Sequence, residues 1–311
     1  MIKNDPFDEL VGQKQVKKHL NELLRNFYAG AIVPHALIVA PKGCGKTEIG
    51  KAFVRGLGKQ GKLFNCAGIK NVEGFFNDIV IQRIHDQDVT LFFDEAHLLP
   101  KPVQAFMLSM LNPNKDHCNT VTNGDVEAFI DFRRQSFVFA TTDPQGMSEP
   151  LRDRCERIDL QDYPQEDIAK IIGDLRPEIE DYTLLMDIAN YARGNARGAV
   201  KLANQMEGRI AQKEKAGDDH SVFDRADWNG LVDVYGHLPY GIRRKEMMVL
   251  ELISKAGTGI ALGTIAFRVS DSPTMVRLDT EAYLRNLDLI AVNEQSKRVL
   301  TPKGRALMDS L

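Results

Sequence analysis

Ala36-Leu37-Ile38-Val39-Ala40-Pro41-Lys42-Gly43-Cys44-Gly45-Lys46-Thr47 decides how the rest of the chain is read. An apolar run breaks into a glycine-rich turn and then enters Glu48 to Leu57, which reads as a helix, so the order is strand, loop, helix. Gly43 and Gly45 let the chain turn tightly, and consecutive backbone N–H groups together with a helix N-terminus then point at one anion. In that setting Gly43, Cys44, Gly45, Lys46, Thr47 and Glu48 form a phosphate cradle for ATP. Lys46 reaches the β and γ phosphates and the Thr47 hydroxyl ligates Mg²⁺. The bland alternative is a glycine-rich turn with a stray lysine, and the flanking pattern argues against it.

The next buried strand downstream, Val89-Thr90-Leu91-Phe92-Phe93, ends in Asp94-Glu95-Ala96-His97. Open α/β sheets bind ligands at the carboxyl ends of their strands, so an acidic pair there would lie beside the phosphate loop. Asp94 would hold Mg²⁺ through its water, and Glu95 would polarise the water that attacks the γ-phosphate. Alone, such a pair is often a solvated strand end; the loop supplies the part it lacks. A third apolar strand, Gln135-Ser136-Phe137-Val138-Phe139-Ala140-Thr141-Thr142-Asp143, ends in hydroxyls. Thr142 either orients the attacking water from beside Glu95 or caps a strand-end turn.

Other segments fill in around these three strands. Lys14 to Tyr28 repeats Val16, Leu20, Leu23, Leu24 and Phe27 at helical spacing, and Val72 to His85 does the same with Phe75, Phe76, Ile79, Val80 and Ile84. Lys62 to Cys66 is a short strand, Lys101 to Leu111 a helix, and Asn123-Gly124 a hairpin turn signal inside Asn119 to Phe132. Leu151-Arg152-Asp153-Arg154-Cys155-Glu156-Arg157 carries three arginines. It is either solvated surface or, in a ring-forming ATPase, the source of an arginine that reaches a neighbour's nucleotide. Beyond Tyr163 the strands stop. Gln165 to Leu175, Thr183 to Ala192 and Ala196 to Lys215 make a small helical lid. From it Arg197 is the candidate to touch the γ-phosphate, a surface arginine at a helix start being the alternative.

After the polar stretch Ala216-Gly217-Asp218-Asp219-His220-Ser221, helices from Arg243 to Lys255, Ala261 to Val269 and Pro273 to Asn286 precede two short apolar strands, the order of a winged helix. Residues 241 to 311 hold 11 Lys/Arg against 8 Asp/Glu, a net of +3 where the whole chain is −3. The excess suits phosphate contact, with Lys297, Arg298, Lys303 and Arg305 as candidates, or a winged helix that packs only against protein. The expected division is 1–160 for the α/β ATPase domain, 161–237 for the lid and 238–311 for the winged helix.

The 311 residues suffice for about two or three domains. No run approaches the roughly 18 apolar residues of a membrane span, and Met1 to Pro6 lacks a signal-peptide core, so a cytoplasmic protein is expected. Cys44, Cys66, Cys118 and Cys155 are scattered, which argues against a zinc site or a disulfide framework.

These motifs, in this order, resemble the AAA+ ATPases, and within them the RuvB family of Holliday-junction branch-migration motors. The resemblance runs from about Pro6 to the carboxyl end. It rests on Phe7-x-x-Leu10-Val11-Gly12-Gln13, Pro34-His35-Ala36-Leu37-Ile38, Leu91 to His97, Ala140-Thr141-Thr142 and Pro150-Leu151-Arg152-Asp153-Arg154. Arg193-Gly194-x-x-Arg197 and Thr301-Pro302-Lys303-Gly304-Arg305 are the more specific members. The resemblance implies a large α/β domain, a helical lid and a winged helix, assembled as a homohexameric ring around duplex or four-way-junction DNA and driven by ATP hydrolysis. It also implies roles: Arg154 as arginine finger, Thr142 and Arg197 as γ-phosphate sensors, Tyr163 with Leu10 and Val11 as parts of the adenine pocket, and Arg305 as a DNA contact. Ala40 and Lys42 depart from the family's loop, and Glu48 adds a negative charge near the phosphates. The polar hairpin at Asn119 to Asp125 leaves open whether a RuvA-type junction-binding partner docks there. The short amino-terminal arm reads as that of a divergent, phage- or mobile-element-borne relative. A clamp-loader or helicase-loader ATPase is the competing reading, since Phe139 to Gln145 resembles those proteins too, and a DNA-binding scaffold of low turnover is a third.

Overall fold

Ala36–Val39 is buried along its whole length and forms β1, as expected of a strand covered on both faces. The computed structural model describes residues 5–215 and 223–310. In it β2 (Gln60–Asn65) and β3 (Val89–Asp94) follow, then an antiparallel hairpin of β4 (Cys118–Asn123) and β5 (Val126–Asp131), then β6 (Gln135–Thr141) and β7 (Glu156–Asp159). Five of them make a parallel sheet in the order β2-β3-β6-β1-β7. β1, β3 and β6 are buried at nearly every residue. The edge strand β2 alternates between exposed and half-buried positions.

Parallel pairing brings all carboxyl ends to one edge. β6 lies between β1 and β3, with Val39 opposite Thr141 and Phe93 opposite Phe139. The phosphate loop after β1, the acidic pair at the end of β3 and Thr142 after β6 are therefore neighbours in space although far apart in sequence. The apolar core against one face is aromatic, with Phe93 stacked on Phe139 at 5.4 Å between ring centroids and Phe75 and Phe76 packed around Phe106.

The segment expected to be helical from Val72 to His85 is helical, but its turns from Phe75 to Ile84 are π rather than α. All five of its predicted inward residues are buried. In the β4–β5 hairpin Asn123 still pairs with Val126, so the turn is Gly124-Asp125, one residue later than the Asn123-Gly124 signal suggested. β7 was not anticipated; it occupies the stretch read only as an arginine-rich run.

The lid helices are Gln165–Leu175, Tyr182–Asn190 and Ala196–Lys215. The chain forms two compact units, one ending at Phe223 and the other starting at Asp224. The helix Arg225–Tyr235 thus belongs to the second unit, whereas the expected boundary at 238 put it with the lid. The polar linker expected at Ala216 to Ser221 lies outside the described residues. The second unit continues with helices Arg244–Ala256 and Leu262–Arg268, a helical stretch from Pro273 to Asn286, and an antiparallel hairpin of β8 (Ile290–Val292) and β9 (Arg298–Leu300). A bridge from Ile260 to Arg298 widens the hairpin. This is the winged-helix order, closed by a helix, Pro302–Asp309, that was not foreseen. No helix among the described residues is long and apolar enough to cross a membrane.

Candidate functional site

The phosphate loop takes the shape its glycines allow. Gly43 and Gly45 have φ of +85° and +83°, a region that side chains other than glycine's strongly disfavour. The helix Lys46–Gly56 starts directly behind them. Lys46 is 6% exposed and donates from Nζ to the Ala40 and Pro41 carbonyls at 2.9 and 3.0 Å. Burial lowers its pKa from the usual lysine value, and the facing Glu95 and Asp94 carboxylates oppose that shift. Ala40, which departs from the family's loop, donates its N–H to the Thr141 carbonyl at 3.3 Å and is not among the positive-φ residues.

Thr47 Oγ1 donates to Asp94 Oδ2 at 2.8 Å. A hydroxyl and a carboxylate in contact at a helix N-terminus are hard oxygen donors of the kind Mg²⁺ takes, the rest of its shell being water and phosphate. Among the described residues no cluster of three or more His, Cys, Asp or Glu could hold a metal. Glu95 follows with φ +54°. Its Oε2 lies 3.4 Å from Thr142 Oγ1 and 3.5 Å from His97 Nδ1, and that nitrogen is 2.9 Å from Thr141 Oγ1. Thr142 thus faces Glu95.

A cleft of about 490 Å³ joins these groups, lined by Lys46, Thr47, Glu95 and, from the lid, Arg197. An apolar pocket of about 290 Å³ adjoins it, and Gly45, Glu48, Ala196 and Val200 line both. Leu10, Val11, Ile49 and Tyr163 supply its apolar walls. Tyr163 packs against the loop, its Oη 3.5 Å from the Cys44 carbonyl, and burial raises its pKa. Cys44 is buried and hydrogen-bonded to Asp162 at 3.4 Å; burial first, and that carboxylate second, push its thiol up to about 11. Glu48 is paired with Lys51 at 2.8 Å, so the charge expected to oppose phosphate has a cation beside it.

Arg154 is elsewhere. Its Nη2 donates to Asn112 at 3.1 Å and it lines a separate cleft with His35 and Leu111. Within its own chain it does not meet the phosphate loop. The basic set in the second unit is also dispersed. Arg298, expected as a phosphate contact, is 11% exposed and donates from Nε and Nη2 to the buried Glu281 at 3.0 and 2.9 Å, so its charge is engaged in an ion pair within the unit. Lys303 and Arg305 are exposed at the head of the last helix, with Lys303 also over the Tyr240 ring. Lys297 is half-buried.

Sequence reading missed Asn195, whose amide donates to the Lys42 carbonyl at 2.6 Å. Its only signal was an asparagine ahead of a helical run. It also gave His97 no role.

A parallel sheet with β6 between the loop strand and the acidic strand, a phosphate loop, and a lid arginine over the same cleft define a P-loop ATPase of the AAA+ class. The family model described as Holliday junction DNA helicase RuvB P-loop domain matches residues 2–159, and the chain belongs to that family. Proteins named Holliday junction branch migration complex subunit RuvB are similar over most of its length. That of Corynebacterium aurimucosum is 24% identical over 91% of this chain and 79% of its own, and that of Sulfurimonas denitrificans 26% identical over 91% and 84%. Among solved structures, the Thermotoga maritima RuvB Holliday junction branch migration motor superposes with a TM-score of 0.72 at 20% identity, covering 99% of this chain and 98% of that one. A mutant of the same protein gives 0.74 at 21% identity.

Proposed function

We propose that this chain is an ATP-driven DNA motor of the branch-migration type, working as a cytoplasmic homohexameric ring. The observation that carries the reading is the adjoining pair of clefts: a polar one built by Lys46, Thr47, Glu95 and Arg197, opening onto an apolar one built by Leu10, Val11 and Tyr163. That is the division of polarity a nucleoside triphosphate requires. Lys46 and the loop N–H groups neutralise the phosphates, Thr47 and Asp94 hold Mg²⁺, and Arg197 meets the γ-phosphate from the lid. Magnesium supplies charge neutralisation across the β and γ phosphates when bound. Glu95 orients and deprotonates the attacking water, with Thr142 holding it in line.

The isolation of Arg154 from this cleft fits a role in trans. An arginine finger acts on the neighbouring subunit's nucleotide, which makes hydrolysis depend on ring assembly. The winged helix, with Lys297, Lys303 and Arg305 on its surface, contacts DNA phosphates, and its presence favours the motor over a clamp-loader subunit. The parts of the motor are then an ATPase domain to about 160, a lid and a winged helix. The relatives' names include a branch-migration complex, and a RuvA-type protein is the partner to supply. The test is unwinding of a synthetic four-way junction with ATP and Mg²⁺, with and without such a partner. ATP turnover unaffected by junction or duplex DNA, with no unwinding in either condition, would overturn the reading.

A further inference from the structure

The lid touches the phosphate loop through backbone-directed hydrogen bonds. Asn195 Nδ2 donates to the Lys42 carbonyl at 2.6 Å, and the Arg197 N–H donates to the Gly43 carbonyl at 3.2 Å. The other end of the same Asn195 amide accepts from the Gly198 N–H at 3.2 Å. That bond caps the helix Ala196–Lys215, in whose first turn Arg197 sits. Gly43 lies directly beneath; a Cβ there would come within 2.1 Å of Asn195 Oδ1. One planar amide therefore grips the loop that carries Lys46 and the helix that carries Arg197.

We infer that Asn195 is a positioning residue for hydrolysis, setting the Arg197 guanidinium against the phosphate loop by bonding the loop and the lid helix with the two ends of one side chain. This rests on the ATPase reading above and deepens it. Both Lys46 and Arg197 line the phosphate cleft, and they come from different layers of the unit, so nothing in the sheet fixes their separation. Asn195 does. A ligand of the γ-phosphate displaced by about 1 Å forfeits on the order of a hundredfold in rate, whereas an enzyme holding ADP makes no use of that ligand.

The amide's two jobs separate by substitution. Asn195→Ser keeps a hydroxyl that caps the helix but is too short to reach the Lys42 carbonyl; Asn195→Ala loses both contacts. In the full chain, Asn195→Ser should lower kcat for ATP by about tenfold or more, with ADP affinity and melting temperature close to wild type. Asn195→Ala should match it in kcat and melt lower. Because Asn195 acts through Arg197, adding Asn195→Ser to Arg197→Ala should change kcat no further. Wild-type turnover in Asn195→Ser, a parallel loss of ADP affinity, or additive losses in the double variant would each overturn the inference. A wild-type protein without turnover would instead overturn the ATPase reading and this inference with it.

Discussion

Glu281→Gln should unfold the second unit far more easily while leaving nucleotide turnover by the first intact. The Glu281 and Arg298 side chains are 4% and 11% exposed, and two guanidinium nitrogens bond one carboxylate oxygen at 2.9 and 3.0 Å. The amide keeps the shape of the carboxylate and an oxygen that can accept, but removes its charge, so the guanidinium stays in the interior with neutral acceptors only, that amide oxygen and the Ser296 carbonyl at 2.9 Å. Breaking a buried pair from one side destabilises by about 3–5 kcal/mol. The residual exposure of Arg298 and its bond to Ser296 place this case at the lower end, about 3 kcal/mol. For a unit of about 90 residues that is a fall in Tm of roughly 15 °C. Trp228 is the chain's single tryptophan, is buried, and lies in this unit, so its fluorescence during heating follows the unit directly. Glu281→Leu combined with Arg298→Met removes both charges and should regain most of the loss, because the penalty arises from the stranded cation. A shift of less than about 3 °C for Glu281→Gln would refute the argument and return Arg298 to the set of candidate DNA contacts.

Three further outcomes follow from the site. Glu95→Gln should cut ATP turnover by about 10²–10⁴-fold with ATP binding kept, because the amide can retain the approaches to Thr142 and His97; radiolabelled-ATP binding beside turnover checks this. Arg154→Ala should lower turnover by about 10³-fold, and mixing it with Glu95→Gln should restore part of the rate, since one of the two kinds of mixed interface pairs an intact glutamate with an intact finger; no recovery on mixing would count against action in trans. His35, edge-on to Phe132 and Phe137 at 4.9 and 5.4 Å, is held down to about pKa 4 by burial and by Arg154. The unfolded chain takes up this proton at a higher pH than the folded one, so the stability tied to His35 is present above pH 6.5 and is lost as the pH falls towards 4. The full effect is about 3 kcal/mol, and His35→Phe should flatten that part of the urea-unfolding profile.

What could be read in advance was what local pattern controls. β1, β3 and β6 are runs of buried apolar residues, and groups that follow them, Lys46, Thr47 and Glu95, line one cleft, so motif and fold pointed the same way. β7 escaped because an edge strand needs only one inward residue: Ile158 is buried while Glu156, Arg157 and Asp159 face out. The last helix escaped because Gly304 interrupts its pattern, and the structure gives that glycine a packing reason, since a Cβ there would meet the Leu289 carbonyl at 2.0 Å. The ion pair of Arg298 escaped for a different cause. Its partner Glu281 is 17 residues away on another element, and charge counting sees totals, not pairs. Asn195 belongs with it, as its bond to Lys42 spans 153 residues.

The backbone at Glu95 has one more implication. With φ +54° and ψ +47°, this residue sits in a conformation that disfavours a β-carbon by roughly 1 kcal/mol and that glycine or asparagine would accept. The position is thus held by glutamate against the chain's own conformational preference. Variants chosen only for resistance to heat would be drawn to replace the side chain proposed to activate the attacking water, so on that proposal durability and work select in opposite directions at this residue.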